Sequence, residues 1–488
     1  MSAHRVFSFR MDLKSDKPIV VEYSDAPLSS DGGLLPIRQF DETIGLTQGF
    51  AGCLNDARDA KLTVQSILDM VRQRVYGLLA GYEDQNDHDT LRFDPVFKLV
   101  NGREVEDPDL ASQPTLSRFE NSVTPSDLFR CRAFMLDNFV KSFTTPPTHL
   151  TFDVDAFDSP THGDQQLTMF HGFYEQHQYY PLVFTCAEND MVVQASLRMG
   201  VATASLGADE DLREIVDRVR KEWPDVRITL RGDTGFAVPT MYNVCRELGI
   251  EYTFGFAMNA RLKKMSEQLA AEAEKQFIAT GVPQRLFMPV MYEAGSWGFE
   301  QRVVIKAEHN EQGPNRRAVV TNRDGWHVLP GEVYEDYARR GESENRNKEM
   351  KLELHAARMS CHRFMANYFR LFLSCVALNL LIRLRQATAL PKLEPIQAGV
   401  ETTPEPLPAE ALPEPQRRKL ANHRRERDPL GEGFGSTWRL RFIKVAVQVV
   451  VRTRRVIVRL TSTWPHREEF ERICGVIAGL AGLEHPTG

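Results

Sequence analysis

Two aspartates that end predicted strands could together hold a divalent metal ion. Asp155 closes the stretch 148–157, and Asp233 closes the stretch 227–233 within Arg-Gly-Asp-Thr-Gly. Functional side chains gather at the carboxyl ends of strands in open α/β sheets, and the glycines around Asp233 allow a substrate to approach closely. Mg²⁺ and Mn²⁺ prefer hard carboxylate oxygens, and without a metal the two acids would repel each other. The pair therefore predicts a metal-dependent site.

The identity of the first carboxylate stays open at the level of sequence. Asp153, Asp155 and Asp158 all lie at the end of the same predicted strand. Strand alternation puts Asp153 and Asp155 on the same face. An aspartate at a strand end is also a common turn or cap residue, so each of the three could have that structural role instead of binding a metal.

A third carboxylate lies in a charged segment with regular spacing. Tyr337, Arg340, Glu344 and Lys351 are separated by three, four and seven residues. In one unbroken helix all four would fall within about 60° of each other. Gly341 indicates that the helix could instead begin near residue 343. The neighbouring Glu342 and Glu349 do not meet the spacing.

Strands and helices alternate around the two aspartates. Strands are predicted at 148–157, 167–175, 179–188, 227–233 and 251–258, and helices at 189–223 and 239–249. This order predicts an α/β fold with a sheet covered by helices. Such a sheet would bring the carboxylates to one edge.

Composition divides the chain into seven regions. The predicted regions are an irregular segment (1–30), a helical domain (31–145), the first part of an α/β core (146–258), a β-strand-rich insertion (259–335), the helical last part of the core (336–388), a Pro- and Glu-rich linker (389–415) and a basic C-terminal region (416–488). The linker contains seven prolines within 391–415 and is expected to be extended or disordered.

Composition also narrows the class of protein. The net charge is −6, and the seven cysteines are scattered without a CxxC pair. Reduced thiols are therefore expected, not a disulfide framework or a zinc site. The N-terminus lacks the features of a signal peptide, and the longest apolar stretch, Leu371–Ile382, is too short to span a bilayer. The sequence thus predicts a soluble cytoplasmic protein that has no membrane partner.

The C-terminal region is strongly basic although the whole chain is acidic. The stretch 439–460 alternates enough to predict a β-hairpin with basic residues on one face. Such a surface would follow DNA phosphates, although a solvated cationic face is the plain alternative. The predicted DNA-contacting residues of this region are Arg439, Arg441, Lys444, Arg452, Arg454 and Arg455.

The spacing Tyr-x2-Arg-x3-Glu-x6-Lys resembles the motif of a large group of bacterial insertion-sequence transposases of the DDE class. Other strings resemble one branch of that group, from SDGGLLPIRQFDE through SQPTLSRFEN, DVDAFDSPTHGDQQ and RGDTGF to SCHRFMANYFRLFL and TWRLRFIKVAVQVVVRTRR. Together they cover about residues 29–460. The resemblance implies an RNase H-like fold in which the β-rich insertion precedes the catalytic Glu, with a DNA-binding role for 31–145.

The resemblance also implies roles for individual residues. Asp155, Asp233 and Glu344 would hold two Mg²⁺ or Mn²⁺ ions for DNA cleavage and strand transfer. Tyr337, Arg340 and Lys351 would contact phosphates near the transposon end. The group has Asp-Gly-Thr or Asp-Ala-Thr at the first ligand. Asp155-Ala156 fits that frame, which favours Asp155 over Asp153, and Phe157 replaces the Thr and so removes a hydroxyl.

The expected partners are the terminal inverted repeats of the element and target DNA, bound by a homodimer because two ends must be joined. Two other functions stay open: an RNase H-like nuclease or resolvase that acts on branched DNA, and a catalytically silent DNA-binding protein derived from a transposase. The long basic tail and the helical N-terminal region favour the transposase over the nuclease, and the presence of all three acids argues against the silent protein.

Overall fold

The computed structural model describes residues 8–11, 19–391 and 414–483. In chain order the described strands are β1 (Ser8–Met11), β2 (Ile19–Glu22), β3 (Leu28–Ser29), β4 (His149–Ala156), β5 (Ser159–Pro160), β6 (Met169–His171), β7 (Gln176–Tyr179), β8 (Leu182–Cys186), β9 (Val192–Ser196), β10 (Arg227–Gly232), β11 (Glu251–Phe256), β12 (Gln284–Tyr292), β13 (Gln301–Asn310), β14 (Gly313–Thr321), β15 (Val447–Arg452) and β16 (Arg455–Leu460).

The described α-helices are α1 (Leu34–Ile44), α2 (Leu46–Ala51), α3 (Ile67–Ala80), α4 (His88–Leu91), α5 (Pro95–Val100), α6 (Gln113–Ser122), α7 (Pro125–Lys141), α8 (Ala208–Glu222), α9 (Pro239–Glu247), α10 (Ala260–Met265), α11 (Glu267–Thr280), α12 (Pro330–Ala338), α13 (Gly341–Lys348), α14 (Phe364–Thr388), α15 (Glu414–Arg427), α16 (Gly435–Trp438) and α17 (Arg467–Leu480).

An eight-stranded mixed sheet forms the centre of the molecule. Its spatial order is β12-β13-β14-β11-β10-β4-β8-β9. The inner strands β4, β10 and β11 are parallel, whereas every other neighbouring pair is antiparallel. β4 is buried on both faces: Leu150, Phe152 and Val154 of one face are fully buried, and Thr151 and Asp153 of the other face are 5% and 2% exposed. The predicted mixed α/β fold is confirmed.

One strand of this sheet was missed at the level of sequence. Residues 192–196 were assigned to a helical stretch, but they form β9, which pairs antiparallel with β8. The turn between the two strands contains Asp190 with a φ of 58°. Val192 and Val193 are β-branched and fully buried, which favours a strand over a helix. The helical prediction was wrong there, and the helix itself begins at Ala208.

The strands of the predicted insertion extend the central sheet. β14 pairs with β11 over Thr253–Phe256, and β13 and β12 follow outward as an antiparallel meander. The helix α11 packs against β12 and β13. These strands carry the chain from the core to α12, which leads into the charged segment at 337–351.

The region 31–145 is helical, as the periodicity predicts, and contains α1 to α7. Two of its helices begin with a capping box, formed by Ser66 with Asp69 and by Thr124 with Asp127. The helix α14 packs against α3, α6 and α7 and against β9. In the described part of the chain α14 alone is long and apolar enough to cross a membrane, and 89% of its apolar window is buried inside the protein. It is the central helix of the core.

The two ends of the described chain meet. β3 pairs with β15, and α17 packs against α1 and α14. The segment 1–30 was predicted to be irregular, but β1 and β2 pair antiparallel within it, and β3 adds a further strand. The predicted linker 389–415 lies mostly outside the described residues, since only 389–391 and the first turn of α15 are described.

Candidate active site

The sheet register brings two aspartates to adjacent positions at one edge. β10 runs parallel to β4, and Gly232 stands opposite Val154. Asp233 follows Gly232 and Asp155 follows Val154, so both aspartates come directly after the last paired position. Asp233 also caps a short 3₁₀-helix, because its Oδ1 accepts a hydrogen bond from the Gly235 N–H at 2.8 Å. Parallel neighbours that end together place both carboxylates at the same edge.

Asp153 differs from Asp155 in what it contacts. Arg231 donates two hydrogen bonds to Asp153, at 2.7 and 2.8 Å, and both side chains are 2% exposed. This fork-to-fork pair uses both oxygens of the carboxylate. Asp153 is thus committed to a buried ion pair, whereas Asp155 keeps 19% of its side chain exposed at the sheet edge.

Asp155 is held by groups that leave it partly uncompensated. Its Oδ2 accepts a hydrogen bond from the Asn347 amide at 3.0 Å, and Arg340 lies 3.7 Å from the same oxygen. Burial raises the pKa of Asp155 to about 6; Arg340 opposes the shift, and the charge of Asp233 adds to it. A buried acid beside a second acid lacks positive charge, which is the condition that a cation would relieve.

The segment with Tyr337, Arg340, Glu344 and Lys351 is not one helix. α12 ends at Ala338, α13 begins at Gly341, and one π-helical turn follows at Glu349–Glu353. The expectation of a single helical face was wrong, and the new helix starts two residues before the predicted alternative. Between the two helices, Arg339 and Arg340 keep right-handed helical backbone angles, and Arg340 lies 3.7 Å from Asp155 and 2.6 Å from Glu344.

Arg340 is the centre of the site. Its guanidinium donates to Glu344 Oε1 at 2.6 Å and lies 5.9 Å from the ring centre of Tyr337. Burial would lower the pKa of Arg340, but Tyr337, Asp155, Glu344 and Asp233 together raise it. One buried arginine therefore interacts electrostatically with all three predicted acids and with the predicted tyrosine.

Lys351 lies apart from this group. It lies in the π-helical turn, where its ammonium contacts Asp158 Oδ1 at 2.6 Å, just before β5. Asp158 is thereby paired with a cation. Glu349, another neighbouring acid, is fully buried and bonded to Arg346 and Arg385, so it serves the core.

Two contacts of α13 had no clear sequence signal. Asn347 holds Asp155, and Ser343 meets Thr185 of β8 at 3.0 Å in the interior. Both residues lie on the face of α13 that faces the sheet. Asn347 is three residues after Glu344, which places both on neighbouring positions of one helix face, and that spacing could have singled it out.

The carboxylates suit a divalent cation by chemical type. Asp155, Asp233 and Glu344 offer hard oxygen ligands of the kind that Mg²⁺ prefers. Among the described residues, no three His, Cys, Asp or Glu side chains lie close enough together to hold a metal ion, and Glu344 is turned toward Arg340. Glu344 would have to exchange Arg340 for the cation to join the two aspartates.

The six basic residues predicted to contact DNA lie in two different environments. Arg439 caps the end of α3, because its Nε donates to the Leu79 carbonyl at 2.9 Å, and it pairs with Glu353 at 3.2 Å. Lys444 contacts Asp31 at 2.7 Å. Arg441 lies 3.9 Å from Glu469. These three precede the hairpin, which begins only at Val447, so the predicted hairpin start at 439 was wrong.

The remaining arginines form the exposed tip of the β15–β16 hairpin. Arg452 and Arg455 are cross-strand partners that flank a two-residue turn containing Arg454. Arg459 shares their face, since cross-strand partners project to the same side. All four are exposed. The predicted hairpin with a basic face is therefore present, and it is shorter than expected.

Comparison with known proteins gives a family and a distant structural likeness. The family described as "Transposase DDE domain group 1" matches residues 11–402. A search of the curated proteins found no match. The chain is also similar to a piggyBac transposase solved as a synaptic complex with hairpin DNA, with 14% sequence identity, a TM-score of 0.36, and coverage of 74% of this chain and 77% of that one.

Proposed function

The chain belongs to the transposase DDE domain group 1 family, and from this premise we propose that it is the transposase of a bacterial insertion sequence. It would bind the terminal inverted repeats of its element, cut the DNA there and join the ends to target DNA. The observation that supports this most directly is that Asp155 and Asp233 directly follow the last paired positions of two adjacent parallel strands, with Arg340 3.7 Å from Asp155 and bonded to Glu344. The place of action would be the nucleoid in the bacterial cytoplasm.

The three acids would hold two Mg²⁺ or Mn²⁺ ions. Bound ions supply activation of a water or 3′-hydroxyl and neutralisation of the departing 3′-oxygen. Asn347 would keep Asp155 oriented toward the edge of the sheet, since it already holds one oxygen of that carboxylate. Positioning and charge neutralisation supply most of the catalysis in such in-line displacements.

Arg340, Tyr337 and Lys351 would contact phosphates beside the cut. Arg340 carries five donors on a planar fork, of which one bonds to Glu344. If Glu344 held a cation, the Arg340 guanidinium would be free to bind a phosphate oxygen, for which its geometry is suited. Lys351 offers a point charge on the opposite side, where Asp158 now holds it.

The exposed arginines of the β15–β16 hairpin would bind DNA outside the catalytic site. Arg452, Arg454 and Arg455 lie on a narrow, protruding tip with no ion pair among the described contacts. Such a tip follows phosphates with a salt-dependent affinity. Joining two ends requires two active sites, so a homodimer assembled on DNA is proposed.

Cleavage of the element's own ends tests the proposed function. Linear DNA that carries the terminal repeats is incubated with Mg²⁺ and the purified chain, and cut strands are resolved on denaturing gels. Asp233→Asn and Glu344→Gln should abolish cleavage while retaining end binding. Glu274→Gln, an exposed acid on α11, is the matched control and should cut normally.

Other outcomes identify the alternatives. Unchanged cleavage in both acid variants would overturn the proposed triad. Cutting of branched DNA without a need for the terminal repeats would identify a nuclease or resolvase. Specific binding of the repeats with no cutting in either Mg²⁺ or Mn²⁺ would identify a silent DNA-binding protein.

A further inference from the structure

A small hairpin beside the carboxylates carries exposed aromatic rings. β6 and β7 pair with β5 to form a three-stranded sheet separate from the central one. Its tip, Gly172–Glu175, presents Phe173, which is 83% exposed, and Phe170 on β6 is 53% exposed. We refer to residues 169–180 as the aromatic hairpin. Large rings left open to water in a folded protein often mark a binding surface.

The rings contact each other in a connected set. Phe173 meets Tyr174 with ring centres 5.0 Å apart, and Tyr174 meets Tyr180 at 6.0 Å. His171 touches both tyrosines, at 5.0 and 5.6 Å. Tyr180 is backed by the buried Arg198, whose guanidinium lies 5.1 Å from the ring centre. Phe173 thus packs on Tyr174, which packs on Tyr180, while most of the Phe173 ring stays exposed to solvent.

The aromatic hairpin packs against the loop 199–206, which in turn contacts the turn that follows Asp233. A Cβ on Gly200 would lie 2.4 Å from the Met169 carbonyl, so the loop 199–206 packs directly on β6. Arg198 donates to the Ala204 carbonyl at 2.8 Å. A Cβ on Gly235 would lie 2.6 Å from the Cβ of Ala204. Contacts therefore run from the hairpin through one loop to the turn that follows Asp233.

The other side of the aromatic hairpin is linked to Lys351 through Asp158. The Gln176 amide donates to Asp158 Oδ2 at 3.3 Å, and Lys351 pairs with the other oxygen of Asp158. The hairpin thus borders the site between Asp233 and Lys351. A DNA strand that brings a phosphate to the carboxylates must lay its neighbouring nucleosides on the surface beside them.

We propose that the aromatic hairpin is a binding site for an unpaired nucleobase of the strand being cut, with Phe173 as the stacking ring. This assignment rests on the proposed function. Stacking on an aromatic ring strengthens binding by about 5- to 150-fold per base and tolerates any sequence, because every base has a π face. The aromatic hairpin contains one acid, the exposed Glu175 at its tip, so the attraction for DNA at this surface would come from the rings and not from charge.

Single-stranded DNA binding measures this site without catalysis. The probe is a fluorescein-labelled oligonucleotide of thymidines, titrated against the full chain in EDTA and followed by anisotropy. Phe173→Ala should bind about tenfold more weakly, and Phe173→Trp should bind as the wild type does, with its indole fluorescence quenched by the oligonucleotide. Phe129→Ala removes a ring that is 68% exposed on α7 and should not change binding. Melting temperatures of the three variants verify that they are folded.

A second arm uses duplex DNA ends with 2-aminopurine placed at successive positions around the cut. Wild type should change the 2-aminopurine fluorescence at one position, and Phe173→Ala should abolish that change. Equal binding and equal 2-aminopurine signals in wild type and Phe173→Ala would overturn the proposal. A shift of the sedimentation coefficient in Phe173→Ala with unchanged DNA binding would also overturn it, since the surface would then dock protein. If instead the wild type fails to cut terminal repeats in Mg²⁺ while the stacking signals are present, the proposed function fails and the base site stands.

Discussion

Two aspartates that are two residues apart on one strand have opposite surroundings. Asp153 lies in a buried ion pair with Arg231, and Asp155 lies at the sheet edge with Asn347 and Arg340. Both face the same way, as strand alternation predicts. The register between β4 and β10 decides which of them pairs with Arg231, since Arg231 is the direct cross-strand partner of Asp153.

The two aspartates should respond differently to the same substitution. Asp153→Asn leaves Arg231 buried without its charge partner, so the free energy of unfolding should fall by about 3–5 kcal/mol. Asp155→Asn should leave the melting temperature within a few degrees of wild type and abolish cleavage. Thermal melts and the end-cleavage assay, run on both variants, measure these effects. Loss of cleavage in a stable Asp153→Asn protein would reverse the assignment.

His88 predicts a pH dependence of stability that is unrelated to catalysis. Burial, with Arg74 adding to it, lowers the pKa of His88 well below its usual value of 6.5. The folded state therefore keeps this histidine neutral while the unfolded state gains a proton below pH 6.5. Its contribution to stability is present above pH 6.5 and is lost as the pH falls, by up to about 1.4 kcal/mol per unit.

Melting temperatures between pH 7.5 and 5 measure this effect. The wild type should lose stability over that range, and His88→Gln should lose less, although it starts lower because His88 packs within 3.2 Å of Arg74 and Gln73. His362→Gln, an exposed histidine, should follow the wild-type curve. Parallel curves for wild type and His88→Gln would contradict the prediction.

The helices and strands show where sequence patterns suffice and where they do not. Periodicity predicted the strand that carries Asp155, the strand that carries Asp233 and the helices around them. It failed for β9, because a five-residue apolar strand next to a helix has too few residues to show a period of two. The break at 339–340 was left open by the sequence, since Gly341 indicated an interruption without fixing its position, and α13 begins at Gly341 itself.

Register is the information that the sequence lacked. The strands 284–292, 301–310 and 313–321 were expected as an insertion, but no local pattern indicates that β14 pairs with β11. The same holds for Arg439 and Arg441, whose partners Glu353 and Glu469 are distant in sequence. Basic composition predicted a DNA surface for all six residues; tertiary contacts distinguish the hairpin tip from the rest.

The hairpin tip and Arg439 should therefore behave as different kinds of residue. The triple variant of Arg452, Arg454 and Arg455 to Ala should retain its melting temperature and bind DNA more weakly, and the slope of log affinity against log salt should fall by about 2–3. Arg439→Ala should cost about 1–3 kcal/mol of stability, because it leaves carbonyls at the end of α3 without a donor. Fluorescence anisotropy at several salt concentrations and thermal melts measure both. An unchanged salt slope in the triple variant would exclude the tip from DNA contact.

At the scale of the whole molecule, the basic C-terminal region is part of the core. Trp438, Phe442 and Ile443 are buried. The N–H of Gly33, at the start of α1, donates to the Ile443 carbonyl at 3.1 Å. A Cβ on Gly33 would lie 1.9 Å from the Phe442 carbonyl, so only glycine permits this approach. Composition suggested a separate tail, but burial shows an integral one.

Truncation tests this integration. A chain that ends at residue 391 removes the partner of β3, the cap of α3 and the helix that packs on α1. Limited proteolysis should then cut within 31–141, where we expect the intact chain to resist, and the melting temperature should fall. A chain that ends at 483 is the matched control. Identical cleavage patterns for the two truncations would show that the helical region folds independently.

The pairing of β3 with β15 also has a consequence for biosynthesis. Residues 28–29 leave the ribosome early, whereas 447–448, their partners, emerge more than four hundred residues later. During translation α2, α5 and α14 can cover parts of α1, but the part that packs on α17 stays uncovered until residues 467–480 have been made. This part of α1 must therefore be protected from aggregation and proteolysis while more than four hundred residues are added, and a chain cut short before 467–480 yields a product in which α1 lacks its contact with α17.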